Sequence, residues 1–432
     1  MKTMEQFKYQ SAIDMRFYPN YRQKRVVAKN DGFSRFVYNK LVDMHNELYR
    51  LRKVKRYLKP VADRIAYLEK VLSSDKEIKN TIPFYGDPEI DSSAYDNAKK
   101  NYGTAWKNMK ERHTGVPTFH KKSSRLHYQT SNHYTKNSKT MNDGSIHFID
   151  KDHLHLPVIG DVRIGVSPKQ IDELFKHFDG NSRIGTAAVR REPDGRYFVS
   201  IKIASDEPFW TIPAKTGNML GIDVNVENLL TTSDNDVYEN KRITSKYAPK
   251  LAKAQKNLAR KREAAKRDGR KLKDSKNYQK QRTKVAIIYQ HMAAEREDYL
   301  DVVSKKLVEN QDAIFSEDLK VKNMVKNHCM AKAIEDVSWG TLFTKIDYKA
   351  KRQEKIYLKV PAKNTTQTCS CCQYVLTGDE VLTLKDRTWV CPNCGAEHSR
   401  DHNSGIVVKQ RGIKMLSDLA KPIPDNKPVS EI

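Results

Sequence analysis

Four of the six cysteines form two Cys-x2-Cys pairs, Cys369/Cys372 and Cys391/Cys394, with 18 residues between the pairs. Each pair can grip one ion from a tight turn, and the spacer is long enough for a hairpin that brings the pairs together. The spacing therefore predicts one structural Zn²⁺ held by four thiolates. Such a site has no open coordination position, so it holds a fold together and does not activate water. Cys371 lies inside the first turn and matches the ligand spacing less well, and Cys329 stands apart; both are expected to be plain thiols. A secreted disulfide framework would spread its cysteines along the chain, and this chain does not.

At 432 residues the chain is long enough for two or three domains. Lys and Arg number 79 against 53 Asp and Glu, and the surplus of +26 suits a polyanionic partner, nucleic acid above all. Residues 241–300 hold 19 Lys/Arg and 6 Asp/Glu, so half of the net charge sits in about a seventh of the length. A solvated helix face is the plain reading of that stretch. A surplus this large repels itself, however, and points to contact with a nucleic-acid backbone through residues such as Lys261, Arg262 and Lys266. No apolar run approaches the roughly 18 residues that cross a bilayer, and MKTMEQFKYQ lacks a signal-peptide core. A soluble cytoplasmic protein with no membrane partner is expected.

Hydrophobic periodicity predicts a strand over residues 6–19, then helices from Gln23 to about Arg112 with breaks near Ser73–Asp75 and Pro83–Pro88. Gly115-Val116-Pro117 ends the helices. Short alternating segments from Arg125 to Ile203 predict a β-barrel or sandwich with which the first strand pairs. A basic helical stretch turning near Gly269, an amphipathic helix over 285–309 and a short strand over 311–319 follow.

Three acids stand out by context. Asp223 lies in the apolar segment MLGIDV, Glu317 ends DAIFSE, and Asp401 opens a helix in HSRDHNSGIVV. A carboxylate in an apolar strand costs several kcal/mol unless it is paired or metal-bound. Singly, each has a structural explanation: a turn cap, a lysine pair, a helix N-cap. Together, in a basic protein, they suit phosphodiester hydrolysis with two hard divalent ions.

From residue 15 to about 412 the segments MRFYPNYRQK, FSRFVYN, TAWKNM with GVPTFHKK, LHLPVIGDVRI, GIDVNVENLLTTS, DYLDVVSKKLVEN, IFSEDLKVKNM, WGTLF with YKAK, TTQTCSCC, RTWVCPNCG and HSRDHNSG occur in one order. In these the chain resembles the transposon-encoded TnpB proteins and the related miniature type V CRISPR effectors, RNA-guided DNA nucleases with a RuvC-type domain. The resemblance implies a multidomain α+β fold: a split wedge β-barrel with a helical recognition insertion, and a ribonuclease H-like (RuvC) α/β nuclease domain with an inserted zinc-ribbon hairpin. Its implied boundaries are wedge 1–30, recognition insertion 31–114, wedge 115–215, nuclease 216–365, target-binding zinc hairpin 366–397, nuclease 398–420 and a disordered tail 421–432.

The resemblance also implies that Asp223, Glu317 and Asp401 are catalytic and hold two Mg²⁺. It implies a guide RNA, double-stranded target DNA with a short flanking motif, and a nucleoid-associated location in a prokaryote; it leaves the oligomeric state open. Arg400 is expected to contact phosphate, and Asn403 to give a hydrogen bond behind the acids. Tyr49 and Asn97 are candidate readers of the flanking motif, since Asn can bond adenine bidentately. His398 and His402 flank Asp401 and are expected to face solvent or phosphate. The chain departs from the family pattern at Asn225, Ser399, Ser404 and Gly405. Two alternatives remain open here: a nuclease-inactive RNA-guided repressor, and a DNA-joining transposase with a ribonuclease H-like core.

Overall fold

The computed structural model describes residues 2–54, 58–178, 181–324, 326, 328–383 and 385–419, so the tail expected at 421–432 and the side chain of Cys329 lie outside the described residues. The chain divides into two compact units, residues 1–210 and 211–432. No helix among the described residues is long and apolar enough to cross a membrane.

In the first unit, β1 (Tyr9–Phe17) alternates so that Ile13, Met15 and Phe17 face the core. Asn20 then starts α1 (Tyr21–Leu51) through a reciprocal cap: its side chain accepts from the Gln23 amide, and the Gln23 side chain accepts from its own, both at 2.9 Å. Ser74 closes α2 (Lys59–Ser73) and opens α3 (Asp75–Asn80), and Asp91 caps α4 (Ser92–Arg112). After the helices come β2 (Leu126–Thr130), β3 (His147–Phe148), β4 (His153–Leu156), β5 (Gly160–Gly165), α5 (Pro168–Phe175), β6 (Ser182–Arg191) and β7 (Tyr197–Ser205). They join one seven-stranded sheet of order β2-β6-β7-β1-β5-β4-β3. β1 lies between β7 and β5, antiparallel to both, so the helices at 21–112 interrupt a sheet whose first strand precedes them. Helix α5 was not expected; Ser167-Pro168 starts it, with proline's fixed φ in the first turn. The ladder is open among the described residues, with β2 and β3 at its edges.

The second unit is built on β8 (Met219–Val224), β9 (Asn228–Thr232) and β10 (Val237–Glu239), followed by α6 (Ile243–Arg267) and α7 (Lys276–Glu309). α6 and α7 pack as a hairpin on Ile243, Ala254, Val285, Ile288 and Met292, and turn at Gly269 with φ +64°. The separate helix expected at 285–309 is instead the larger, C-terminal part of α7, because no breaker interrupts Lys276–Glu309. Then come β11 (Ala313–Glu317), α8 (Val321–Met324), α9 (His328–Val337), α10 (Trp339–Arg352), β12 (Ile356–Val360), β13 (Thr388–Val390), β14 (Glu397–Ser399) and α11 (Arg400–Leu419). The main sheet runs β10-β9-β8-β11-β12; β8, β9 and β10 are antiparallel, and β11 is parallel to both β8 and β12.

Every residue of β11 is buried, as a central strand covered on both faces requires. Leu220, Ile222 and Ile314 face a core shared with Leu300, Val303, Leu307 and Ile346, and Ala313 and Phe315 pack with Val408 of α11 on the other face. Period-two alternation puts Gly221, Asp223 and Glu317 on the α11 side. The helix touches the sheet there: a β-carbon on Gly221 would lie 2.1 Å from the Gly405 carbonyl oxygen, and one on Gly412 would lie 2.1 Å from the Phe315 ring.

Candidate active site

Asp223 and Glu317 come from neighbouring parallel strands. The ladder pairs Phe315 with Gly221 and Ser316 with Ile222, so the next rung sets Glu317 beside Asp223. Asp401 enters from the first turn of α11, and all three acids line one cleft of about 1050 Å³ with Asn225, Glu227, Trp339, Arg387 and Arg400. Burial pushes the Asp223 carboxyl well above the usual range, the negative charges of Glu317 and Asp401 push it further, and a hydrogen bond from Ser404 opposes them. Burial also raises Glu317, against a hydrogen bond from Thr365 and the charge of Arg411. Among the described residues the three acids do not converge within the reach of a single ion, as the cysteines do.

The side chains behind the acids differ from those expected. Ser404 Oγ donates to Asp223 Oδ1 at 3.0 Å, Thr365 Oγ1 donates to Glu317 Oε1, and Asn225 Nδ2 donates to Asp401 Oδ2 at 3.1 Å. Asn225 Oδ1 accepts the Asn228 amide at 2.7 Å, which anchors that side chain in the β8–β9 turn. Two of the departures from the family pattern therefore touch the acids directly. Asn403 does not. Its carboxamide is buried between the Ser370 amide, 2.9 Å, and the Thr368 carbonyl, 2.8 Å, so it ties α11 to the first cysteine turn. Arg400, expected at phosphate, is mostly buried; its Nε donates to Asp401 Oδ1 at 3.1 Å and one terminal nitrogen donates to the Thr383 carbonyl at 3.0 Å. Arg387, which no pattern singled out, is the half-exposed guanidinium at the cleft, paired with Glu227 and 3.6 Å from Asp401.

The four expected cysteines converge in the hairpin region that precedes α11. Cys369 Sγ lies 3.7 Å from Cys394 Sγ, and Cys372 Sγ lies 3.7 Å from Cys391 Sγ. A tetrahedron with ~2.3 Å zinc–sulfur bonds has an edge of about 3.8 Å, so the thiols fit zinc. Both turns are built alike: Gln373 N donates to Cys369 O and Gly395 N to Cys391 O, each at 2.9 Å, and both residues have positive φ, +64° and +74°. Cys371 is exposed and lies outside the set of four. The histidines flanking Asp401 do not face the cleft: His398 Nε2 is 3.1 Å from Cys369 Sγ, and His402 Nε2 is 3.1 Å from the Ser233 carbonyl.

In the first unit, Tyr49 is exposed near the end of α1 with Lys53 over its ring. Asn97 is a correction. Its amide nitrogen spends its hydrogens on the Ser93 carbonyl, 2.8 Å, and Ser131 Oγ, 3.0 Å, so it cannot offer adenine the donor–acceptor pair a bidentate bond needs. Asn97→Ala should cost about 1–3 kcal/mol of stability, read in a denaturation curve, and leave sequence preference unchanged. A changed motif in a randomised-flank assay would restore the reader assignment.

Residues 199–328 match the family described as "Probable transposase" (OrfB_IS605), residues 4–53 its helix-turn-helix domain, and residues 339–408 the Cas12f1-like TNB domain. Together these matches span more than half of the chain. In these regions the chain is similar to the IS605 OrfB (TnpB) family. Among curated relatives, a protein of Streptomyces pristinaespiralis named "Putative RNA-guided DNA endonuclease" is 26% identical over 407 residues, covering 93% of this chain and 89% of the relative. InsQ of Escherichia coli K12, with the same description, is 25% identical over 409 residues, covering 90% of this chain and 88% of the relative. The structure of a Cas12f1–sgRNA–target DNA complex aligns with a TM-score of 0.51 at 12% identity, over 93% of this chain and 98% of that one, which marks a shared multidomain α/β fold.

Proposed function

We propose that this chain is a guide-RNA-directed endonuclease that cuts double-stranded DNA beside a short flanking motif. The observation that carries the reading is the convergence of Asp223, Glu317 and Asp401, from three distant segments, in one cleft of a basic protein. The sheet order, with three antiparallel strands followed by two parallel ones under α11, supports a ribonuclease H-like (RuvC) domain, and β1 seated within the later sheet supports a split wedge. The names of the family's curated relatives agree.

Bound at these acids, two Mg²⁺ would supply activation of the attacking water and stabilisation of the leaving 3′ oxygen. The chain's own residues set the geometry. Ser404 fixes one oxygen of Asp223, Thr365 fixes Glu317, and Asn225 with Arg400 fixes Asp401, so the carboxylates are oriented before substrate arrives. Arg387 replaces Arg400 as the candidate phosphate contact. Zn²⁺ at Cys369, Cys372, Cys391 and Cys394 would stiffen the hairpin that carries Arg387. Base pairing with the guide would read the target, while Lys and Arg hold the backbones.

The test is to sequence the RNA that co-purifies with the chain, reprogram its guide segment, and assay Mg²⁺-dependent cutting of a matching plasmid. Binding without cutting would favour the inactive repressor, and DNA joining without RNA would favour the transposase. On the basic hairpin, Lys261, Arg262 and Lys266 are at the surface of α6. Changing all three to Glu should shallow the log–log salt dependence of RNA or heteroduplex binding by up to about 3, and an unchanged slope in a salt titration would return α6 to the solvated-face reading.

A further inference from the structure

The open edge of the first unit's sheet carries three histidines with a common arrangement. His153 and His155 are two residues apart on β4 and share a face, while the alternating Leu154 and Leu156 are fully buried. His147 on β3 is the direct cross-strand partner of His155, and Asp161 on β5 is the partner of His155 on its other side. The His147 and His155 rings stack with centroids 4.7 Å apart and planes 12° from parallel.

The hydrogen bonds fix the tautomers. His155 Nδ1 is 2.6 Å from Asp161 Oδ1, and His147 Nδ1 is 3.0 Å from the Gly144 carbonyl oxygen. Both partners can only accept, so Nδ1 carries the proton in each ring and the lone pair of the neutral imidazole is at Nε2. His153 repeats the pattern, with Nδ1 3.0 Å from Asp150. A carboxylate or carbonyl behind Nδ1, with Nε2 left free, is the arrangement of histidines that ligate transition metals.

We propose that His147 and His155 form a two-histidine site for a late first-row divalent cation, with Asp161 and the Gly144 carbonyl holding the rings and water completing the coordination. Two nitrogens on one ion at ~2.1 Å lie about 3.3 Å apart with converging lone pairs, so binding turns the near-parallel rings about their side-chain torsions until both Nε2 atoms face the ion. Phe148, Leu154, Leu156 and Val162 are buried beneath the pair and keep the strands in place. Imidazole donors select zinc, nickel or copper over magnesium, so this site does not compete with the acids of the cleft for their ions.

Nickel is the probe. Untagged full-length chain saturated with zinc at the four cysteines is titrated with Ni²⁺ at pH 8 by calorimetry, in excess Mg²⁺ to occupy the acids of the cleft and in a Cys371→Ser background that removes the other described group of neighbouring donors, Cys369, Cys371 and His398. One further equivalent is expected to bind. His147→Gln and His155→Gln should each abolish it, and Asp161→Asn should weaken it about 10-fold or more, with thermal melts unchanged. The proposal is overturned if the parent takes up no Ni²⁺ beyond background, or if His147→Gln binds Ni²⁺ as the parent does.

Discussion

Replacing Asp223, Glu317 or Asp401 by Ala is expected to lower DNA cleavage by about 10³-fold or more, since a cation in such a site supplies several kcal/mol to the transition state. Guided binding should stay within a few-fold of the parent, because removing a negative charge beside phosphate does not oppose binding. A single-turnover assay beside a binding titration separates the two, and a variant that still cuts at the parent rate loses its assignment. Asp223 should also show an opposite effect on stability. Asp223 is buried at the base of the cleft and its carboxyl is held well above its ordinary range, so in the metal-free protein its ionisation opposes folding. The sign follows: an acid whose folded pKa is raised costs nothing while protonated, and destabilises the fold as pH climbs above its ordinary value. Asp223→Asn should therefore raise the melting temperature of the metal-free chain at neutral pH, at about 2–4 °C per kcal/mol relieved, with the gain shrinking toward pH 4. Added Mg²⁺ should raise the melting temperature of the parent more than that of the variant. A variant that melts below the parent at neutral pH without metal would show that this carboxylate is not under strain.

The second large effect is expected at the cysteines. Cys391→Ser removes a buried member of the set of four and should release close to one equivalent of zinc, measured by elemental analysis, while exposed Cys371→Ser should retain it. The consequence should reach the cleft. Asn403 bonds the backbone on both sides of Cys369, and the Arg400 amide donates to the Arg387 carbonyl at 2.8 Å, so the first turn of α11 is tied to the hairpin at two points. Losing the metal should increase amide exchange over residues 366–405 and reduce cleavage, with β8 and β11 still protected. Full zinc content in Cys391→Ser, or zinc loss in Cys371→Ser, would falsify the ligand set.

The residues legible in the sequence were those whose chemistry conflicts with their surroundings. Acids within MLGIDV and AIFSE announce themselves because apolar strands reject charge, and paired cysteines announce themselves because each turn needs two thiols at a fixed spacing. The helix break near Ser73–Asp75 was legible because polar residues interrupt the apolar periodicity there. What sits behind the acids was not. Thr365 meets Glu317 across 48 residues, and Arg387 meets Glu227 across 160, both from segments without periodicity. Asn225 and Ser404 were visible only as departures from a pattern, and their contacts needed the helix to be laid on the sheet. Asn97 misled because a polar residue in the second turn of a helix looks available, whereas the neighbouring loop consumes its amide. Helix α5 was hidden because eight residues are too few to outweigh the alternating segments on either side.

The contact between α11 and the sheet also bears on the timing of synthesis. Gly221 and its partner Gly405 are separated by most of the second unit, and the last acid enters only with the helix that Gly405 belongs to. A nascent chain thus exposes its lysine-rich hairpin long before it can gather all three carboxylates. On the proposed reading, a ribosome that stalls before residue 401 releases a product that can grip nucleic acid and lacks the means to break it.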